Sequence, residues 1–379
     1  MGNADPDCDL VVVGAGIVGL AHAVEAQRRG LSVVVVERDD RAVGASVRNF
    51  GHACITGQSG RTLELARASR ARWIELGRQA GFAVAESGAV VVARLPEELK
   101  VLAEFADERG DEVELLDPAA LRSRVPLVPP DVLGGAFLPL DLRVDQRHAV
   151  GALAAWLASQ PGVRFHWRRS FTGLDPTGVD AGIVVRTSRG PITARHAVVC
   201  VGHDVDRWFP DLATAAGVRR CVLHMLRVAA PDGVRIDPAL LSGTALWRYD
   251  GFRACEATAA LEARVAAEQP DLVAAGANLM LTQLPDGDLT VGDTHHYTTT
   301  VGPFRDDGLD DLLLAEAARL LGVDRLTVLQ RWQGIYAAAP DDFLVASPMP
   351  AARVVSVTSG IGMTTAFGLA ASVLDELAT

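Results

Sequence analysis

"DLVVVGAGIVGLAHAVEAQRRGLSVVVVERD", residues 9–39, decides how the chain begins to fold. "LVVV" is a short apolar run of β-branched residues, the signature of a buried strand. Gly14, Gly16 and Gly19 follow it at once, and a helical stretch, 17–29, runs to Gly30 in the usual C-terminal position. "SVVVVE" is the next strand, so the segment reads as a complete βαβ unit. A GxGxxG spacing alone is weak evidence. Between a strand and a helix, with Glu37 ending the second strand, it becomes a dinucleotide fingerprint. Gly14 permits the tight turn, Gly16 lets the backbone approach a pyrophosphate, and Gly19 allows close packing of helix on strand. The helix start, Ile17 and Val18, supplies bare N–H groups and the positive end of a dipole. Glu37 is placed to accept hydrogen bonds from a ribose diol and to repel a 2′-phosphate. Arg38 follows it at the same edge.

Outward from this unit, helices are expected over 62–80, 96–106, 117–130, 147–159, 257–268 and 308–321. Strands are expected over 87–95, 163–167 and in a hairpin ending at Gly202. Residues 218–228, 242–255 and 278–296 read as long strands of a second, mostly antiparallel sheet. "RVDQR" (143–147) reads as a helix cap and a solvated helix start. The change of strand type near 216 points to an interrupted nucleotide domain. The fold class is therefore α/β, α+β overall: a Rossmann-like domain (1–85, 141–216 and 325–379) with an inserted substrate domain (86–140 and 217–324).

The chain has 379 residues, 49% hydrophobic and 22% charged, which fits two globular domains. A net charge of −11 argues against nucleic acid as a partner and means that an anionic substrate needs a local basic pocket. Five scattered cysteines without a CxxC pair read as reduced thiols. No apolar run reaches the ~20 residues of a membrane span, and "MGNADPDCD" has no basic or apolar leader character. A cytoplasmic protein with no membrane partner is expected; its oligomeric state is left open. No metal-ligand or Ser–His–Asp pattern stands out.

The N-terminal unit does not separate NAD from FAD; the other end of the chain does. "VVSVTSGIGMTTAFGLA" (354–370) is a second strand, glycine turn and helix. Gly360, Gly362 and Met363 aim another helix N-terminus at an electron-rich target such as the N1–C2=O edge of an isoalloxazine ring.

Together "GAGIVG", Glu37, "GAS" (44–46) and "GIGMTTAFGLA" resemble the D-amino-acid oxidase superfamily of FAD-dependent amine oxidases, which includes glycine and sarcosine oxidases. More narrowly, "RNFGH" (48–52), "GDTHHY" (292–297) and "RWQGIY" (331–336) resemble a subgroup associated with phosphonate metabolism. The resemblance implies FAD held by Gly14, Gly16 and Gly19 at the pyrophosphate and Glu37 at the ribose. It puts Ser46, Arg48 and Asn49 on the loop past the flavin and Phe171 at the adenine end. It brings Gly202, Trp332 and Gly334 beside the cofactor, and Gly360, Gly362, Met363 and Thr364 at the ring. Glycine-oxidase-like enzymes carry Trp-x-Gly-x-Arg where this chain has Trp332, Gly334 and Tyr336. Tyr336 therefore replaces a carboxylate-clamping arginine and offers one hydrogen bond instead of a charged fork. No cysteine lies near Tyr336 in sequence, so FAD is expected to be non-covalent.

The missing cation is sought in Arg48 and His52, with His295, Arg248, Tyr249 and Thr365 as further substrate contacts and His224 as an outside candidate. The last histidine and arginine stretches are expected on strands roofing the flavin. The implied activity is oxidation of a small amine with an anionic head group, with O2 as acceptor, and the subgroup resemblance points to 2-aminoethylphosphonate or an N-alkyl derivative. Two alternatives remain: an oxidase of glycine, sarcosine or another amino acid, and a flavoprotein subunit that passes electrons to a partner.

Overall fold

In a computed structural model the chain is described over residues 6–177 and 182–377. The first five residues, on which part of the leader expectation rests, lie outside the described residues. Strand β1 (Cys8–Val13), helix α1 (Ile17–Arg28) and strand β2 (Val33–Val36) form the expected unit, with β1 and β2 parallel and Leu10 opposite Val33. Both strands are almost wholly buried, as a parallel sheet covered on two faces requires. The parallel set runs Val163–His166, β2, β1, Ile192–Val199, Ala352–Ser359. Chain direction around the sheet reverses beside β1, which opens a crevice at the carboxyl ends of β1 and Ile192–Val199. α1 and the C-terminal helix, Gly362–Leu377, both start at this crevice.

The sheet does not stop at the nucleotide unit. Strand Val328–Met349, 22 residues long, pairs antiparallel with Ala352–Ser359 and with Arg219–Val228. From there the order continues through Leu289–Gly292, Met280–Gln283, Ala239–Leu241, Ala89–Ala93, Gly134–Leu138 and Glu114–Leu116. One long strand thus carries residues from the cofactor crevice into the second sheet region. Apolar packing divides along the same line. Leu10, Trp73 and Phe367 belong to one cluster; Phe105, Phe252 and Met280 belong to another.

Three readings of local structure change. Residues 242–255 are not a strand but a 3-10 turn, Gly243–Trp247, followed by a short helix, Asp250–Arg253. Ser242 Oγ accepts the Thr244 N–H and starts the turn, so a local cap defeats the strand character of the aromatic run. The stretch 278–296 breaks into Met280–Gln283 and Leu289–Gly292 because "LPDGD" makes a hairpin turn between them. In "RVDQR", Asp145 does cap the helix Gln146–Ala158. Arg143 is not solvated, however: it lies on strand Leu142–Val144 and donates to the Gln283 carbonyl at 2.6 Å. Arg147 stacks over the Trp332 ring.

Candidate active site

β1 is followed at once by Gly14, whose φ is +101° and whose missing Cβ would run into the Cys200 carbonyl oxygen, so only glycine turns the chain here. A Cβ on Gly19 would meet the Gly14 carbonyl, which is the close helix–strand packing expected of that position. Gly16 opens on the crevice, where Ser46 Oγ accepts the Ile17 N–H at 2.9 Å. The Glu37 carboxylate accepts the Ala15 N–H at 2.8 Å and the Asp39 N–H at 3.0 Å, which fixes it at the crevice edge. Arg38 pairs with the buried Asp204 at 2.6 Å. Phe171 meets Trp208 edge-on beside Gly202. Asn49 braces its own loop, donating to the Ala45 and Ser46 carbonyls and accepting the Gly51 N–H.

All of these sequence-expected residues except Gly19 border one cavity of about 520 Å³ that reaches from Glu37 past Gly16 to Gly360, Gly362, Met363 and Thr364. Thr364 Oγ1 accepts the Cys54 N–H at 3.1 Å, and the Met363 carbonyl accepts the Trp73 indole N–H at 2.7 Å. Neither Trp332 nor Thr365 borders the cavity. Trp332 donates to the Arg48 carbonyl and so positions the loop, while the Thr365 hydroxyl donates back to the Ile361 carbonyl within its own helix. Gly334 does border it, on the long strand.

The far end of the cavity is closed by Arg248, Tyr249, Asn278, Asp293, His295 and Tyr336. Arg248 caps the 3-10 turn rather than riding a strand, and its Nη2 donates to the Tyr336 hydroxyl at 2.9 Å and to the Ser359 carbonyl at 3.4 Å. No described carboxylate lies within 4.0 Å of its guanidinium. Burial works against its charge, but the surrounding Tyr336, Tyr297, Tyr249 and Asp293 outweigh burial and raise its pKa. Tyr336 packs its ring 2.9 Å from where a Gly360 Cβ would stand, which ties the glycine turn at φ +80° to the tyrosine.

The histidines change role. His52 is buried, and its Nε2–H donates to Asp141 Oδ2 at 2.8 Å. Asp141 Oδ1 also accepts from the Ile55 and Thr56 N–H groups and the Thr56 hydroxyl. His52 is therefore held as a brace of the loop, and only its Nδ1 is left without a partner at the cavity. His52, Cys54 and Asp141 place ligand atoms within 4.8 Å of one another, but the carboxylate is already filled by those donors. His295 Nδ1–H donates to the Gly276 carbonyl at 2.9 Å, and burial, then the Arg248 charge, pushes its pKa down to about 3. It is a neutral ring and no cation. His224 turns away from the cavity to Asp310 at 2.9 Å. Arg48 stays at the cavity wall, with a long contact of 3.4 Å to the Gln333 carbonyl. Asp293 and Asn278 were not singled out from the sequence. Both residue types are common, and only the sheet brings them to the cavity.

The expected distance between cysteine and Tyr336 also changes. Cys221 lies directly across the ladder from Tyr336, and Cys54 and Cys200 border the cavity. Burial pushes the Cys221 thiol up to about 11 and the other two upward as well, so none is a ready nucleophile.

Residues 9–376 match the family described as FAD dependent oxidoreductase. One subunit of the anaerobic glycerol-3-phosphate dehydrogenase of Escherichia coli K12 is 29% identical over 221 residues, covering 56% of this chain and 40% of that protein. The gamma-glutamylputrescine oxidoreductase of the same strain is 26% identical over 242 residues, covering 56% and 53%. The chain spans about half the length of the curated relatives it matches, or less. A crystal structure of glycine oxidase from Geobacillus kaustophilus aligns with a TM-score of 0.77 at 19% identity, over 98% of this chain and 94% of that one, a likeness of fold. No described helix is long and apolar enough to cross a membrane.

The residues present fit FAD. Two helix starts without an acidic residue in the first turn, at Ile17 and Gly362, open on one cavity. Gly16 and Gly362 leave its wall bare of side chains there, and Glu37 borders it at the end of β2.

Proposed function

This chain belongs to the family of FAD-dependent oxidoreductases, and from that premise we propose that it oxidises a small amine carrying an acidic head group. The observation that carries this reading is Arg248, a largely buried guanidinium at the closed end of the cofactor cavity with no carboxylate partner among the described residues. A charged donor in that state recognises an anion with charge-assisted hydrogen bonds. In this reading Arg248 and the Tyr336 hydroxyl hold the head group, replacing the clamp whose arginine is absent at 336. Glu37, Ser46 and the two glycine turns hold FAD non-covalently. FAD, when bound, accepts a hydride equivalent from the carbon next to a neutral amine. The protein's own part is to bind and orient the substrate and to keep water from the cavity floor.

Amino acids and aminophosphonates both meet this description. An N-alkyl or unsubstituted 2-aminoethylphosphonate is favoured by Arg48, a second guanidinium bordering the cavity, because a phosphonate carries up to two charges. A glycine- or sarcosine-type substrate is favoured by the neutrality of His295 and by the engagement of His52 with Asp141, which together leave fewer cations than a dianion calls for.

The test is a panel of glycine, sarcosine, 2-aminoethylphosphonate and its N-methyl form, followed by loss of flavin colour without air and by peroxide formation in air. Decoloration by any of them supports the reading, and none at all refutes it. Decoloration without peroxide in air points to a partner acceptor, in keeping with a relative that is itself one component of a larger dehydrogenase.

A further inference from the structure

Four polar atoms at this cavity are buried and have no hydrogen-bond partner: Asp293 Oδ1, Asn278 Oδ1, Ser359 Oγ and His52 Nδ1. Two of them stand together. The Asp293 N–H donates to the Asn278 carbonyl at 3.1 Å and the Asn278 N–H to the Asp293 carbonyl at 2.9 Å, so the backbones lock the residues side by side. Both side chains are nearly closed to solvent, at 5% and 4% residue exposure. Buried acceptors of this kind are rare unless something donates to them. His295 does not: its Nδ1 lies 3.7 Å from Asp293 Oδ1 and is committed to Gly276. Nor does Arg248, which forms no ion pair with Asp293 although its charge is felt there.

The end of the cavity thus carries a guanidinium on the 3-10 turn and, on the hairpin, a carboxyl with an amide oxygen, and it becomes two-signed where Asp293 ionises. We propose that Asp293, seconded by Asn278, receives the substrate's nitrogen and takes its proton, while Arg248 holds the acid head. The proposal rests on the amine-oxidation reading above and names the polar end that reading leaves unassigned. The substrate class becomes a zwitterion with its charges separated by a short chain. A bound R–NH3+ loses one N–H bond, an O–H bond forms on the Asp293 carboxylate, the electron pair stays on nitrogen, and no electron changes hands. The product is the neutral amine that oxidation at the adjacent carbon requires.

Burial pushes the Asp293 pKa up to about 8, against the opposing pull of Arg248 and of its own backbone N–H, so the group is ionised and takes the proton only as pH rises towards and above 8. The other groups that face it are Tyr249, Tyr297 and Cys221, all pushed upward by burial, and the neutral His295. None of them brings a second cation to compete for the carboxylate.

Asp293→Asn in the FAD-loaded enzyme keeps the shape and removes the proton acceptor. kcat/KM for the best amine falls more than tenfold, and the acidic limb of its pH profile moves up by more than one unit. Calorimetric titration of acetate and methylphosphonate, acids without an amine, shows binding unchanged or tighter, since a carboxylate facing the anion is gone. Should the wild type oxidise amines while Asp293→Asn stays within threefold at every pH, the proposal is overturned and the amine reading stands. Equal weakening of the amine-free acids also overturns it, because the residue then merely shapes the pocket. If the wild type oxidises no amine, the amine reading itself has failed. Should Asp293→Asn not fold, Asn278→Ala decides: a severalfold rise in KM for the amine with kcat nearly kept supports the proposal, and an unchanged KM overturns it.

Discussion

Arg248→Met separates what the guanidinium does for substrate from what it does for the fold. In the free protein the change removes two hydrogen bonds, to the Tyr336 hydroxyl at 2.9 Å and the Ser359 carbonyl at 3.4 Å. At about 0.5–1.5 kcal/mol each, less for the longer one, the loss is on the order of 1–2 kcal/mol. Methionine fills much the same space, so stability should fall by no more than about that amount. For substrate the balance is one-sided: a charge-assisted contact to an anion is worth about 1.5–3 kcal/mol, or about 10- to 150-fold in kcat/KM. The assay is kcat/KM for the best acidic amine, with a simple alkylamine as the control whose rate should not fall. FAD content and the melting temperature are read on the same preparation. An acidic substrate that loses less than threefold refutes the assignment. So does an equal loss for the alkylamine, which would mean that Arg248 supports the cavity as a whole.

Glu37→Ala should weaken FAD binding by about 1–3 kcal/mol, since acceptors to a ribose diol are lost; full flavin retention at micromolar protein would remove Glu37 from that role. The folded-state pKa of Asp293, about 8, lies above the value of 3.8 for a free carboxyl, so the folded protein keeps a proton that the unfolded chain gives up. Stability linked to this group is full below about pH 4 and is lost as pH rises towards and through 8. Asp293→Asn, without a titrating group, should melt several degrees higher than wild type at pH 9 and nearly equally at pH 4.5, and a gap that does not grow with pH would contradict this. His52→Ala should lower stability by about 1–3 kcal/mol in urea melts, because it leaves the buried Asp141 oxygen unpaired; an unchanged midpoint would show that the brace is dispensable. Acid precipitation should release the yellow colour to the supernatant, and colour kept in the pellet would mean a covalent link.

The cofactor end was legible because its physics is local. A glycine at positive φ, a strand buried on both faces and a helix start within three residues leave a contiguous pattern, and Gly14, Gly16, Glu37 and Gly360 all meet in one cavity. The other end of the cavity was half legible. Arg248, Tyr249, His295 and Tyr336 do come together, but from a 3-10 turn, a segment after a hairpin strand and a long strand, over sequence separations that no spacing encodes. The charge state of His295 depends on burial and on Arg248, and the engagement of His52 on Asp141, none of which is readable from the neighbouring sequence. Asp293 could have been suspected from "GDTHHY", but nothing in those six letters says that its buried Oδ1 is left without a donor. The cysteines make the same point: Cys221 is 115 positions from Tyr336 and opposite it in the ladder.

A tyrosine at 336, where the resemblance leads one to expect an arginine, has a structural reading. Tyr336 sits on the long strand against the Gly360 turn, where its ring fills the space beside the cofactor end and its hydroxyl reaches Arg248. A cation at 336 would face Arg248 across that same short gap, and two guanidiniums without an anion repel in a dry cavity. A cation on the 3-10 turn instead leaves the hairpin that carries Asp293 and Asn278 free to present acceptors. In the proposed reading Asp293 ionises only as pH rises towards 8, and a zwitterion that bridges the two elements then offsets the cost of holding both charges in the cavity.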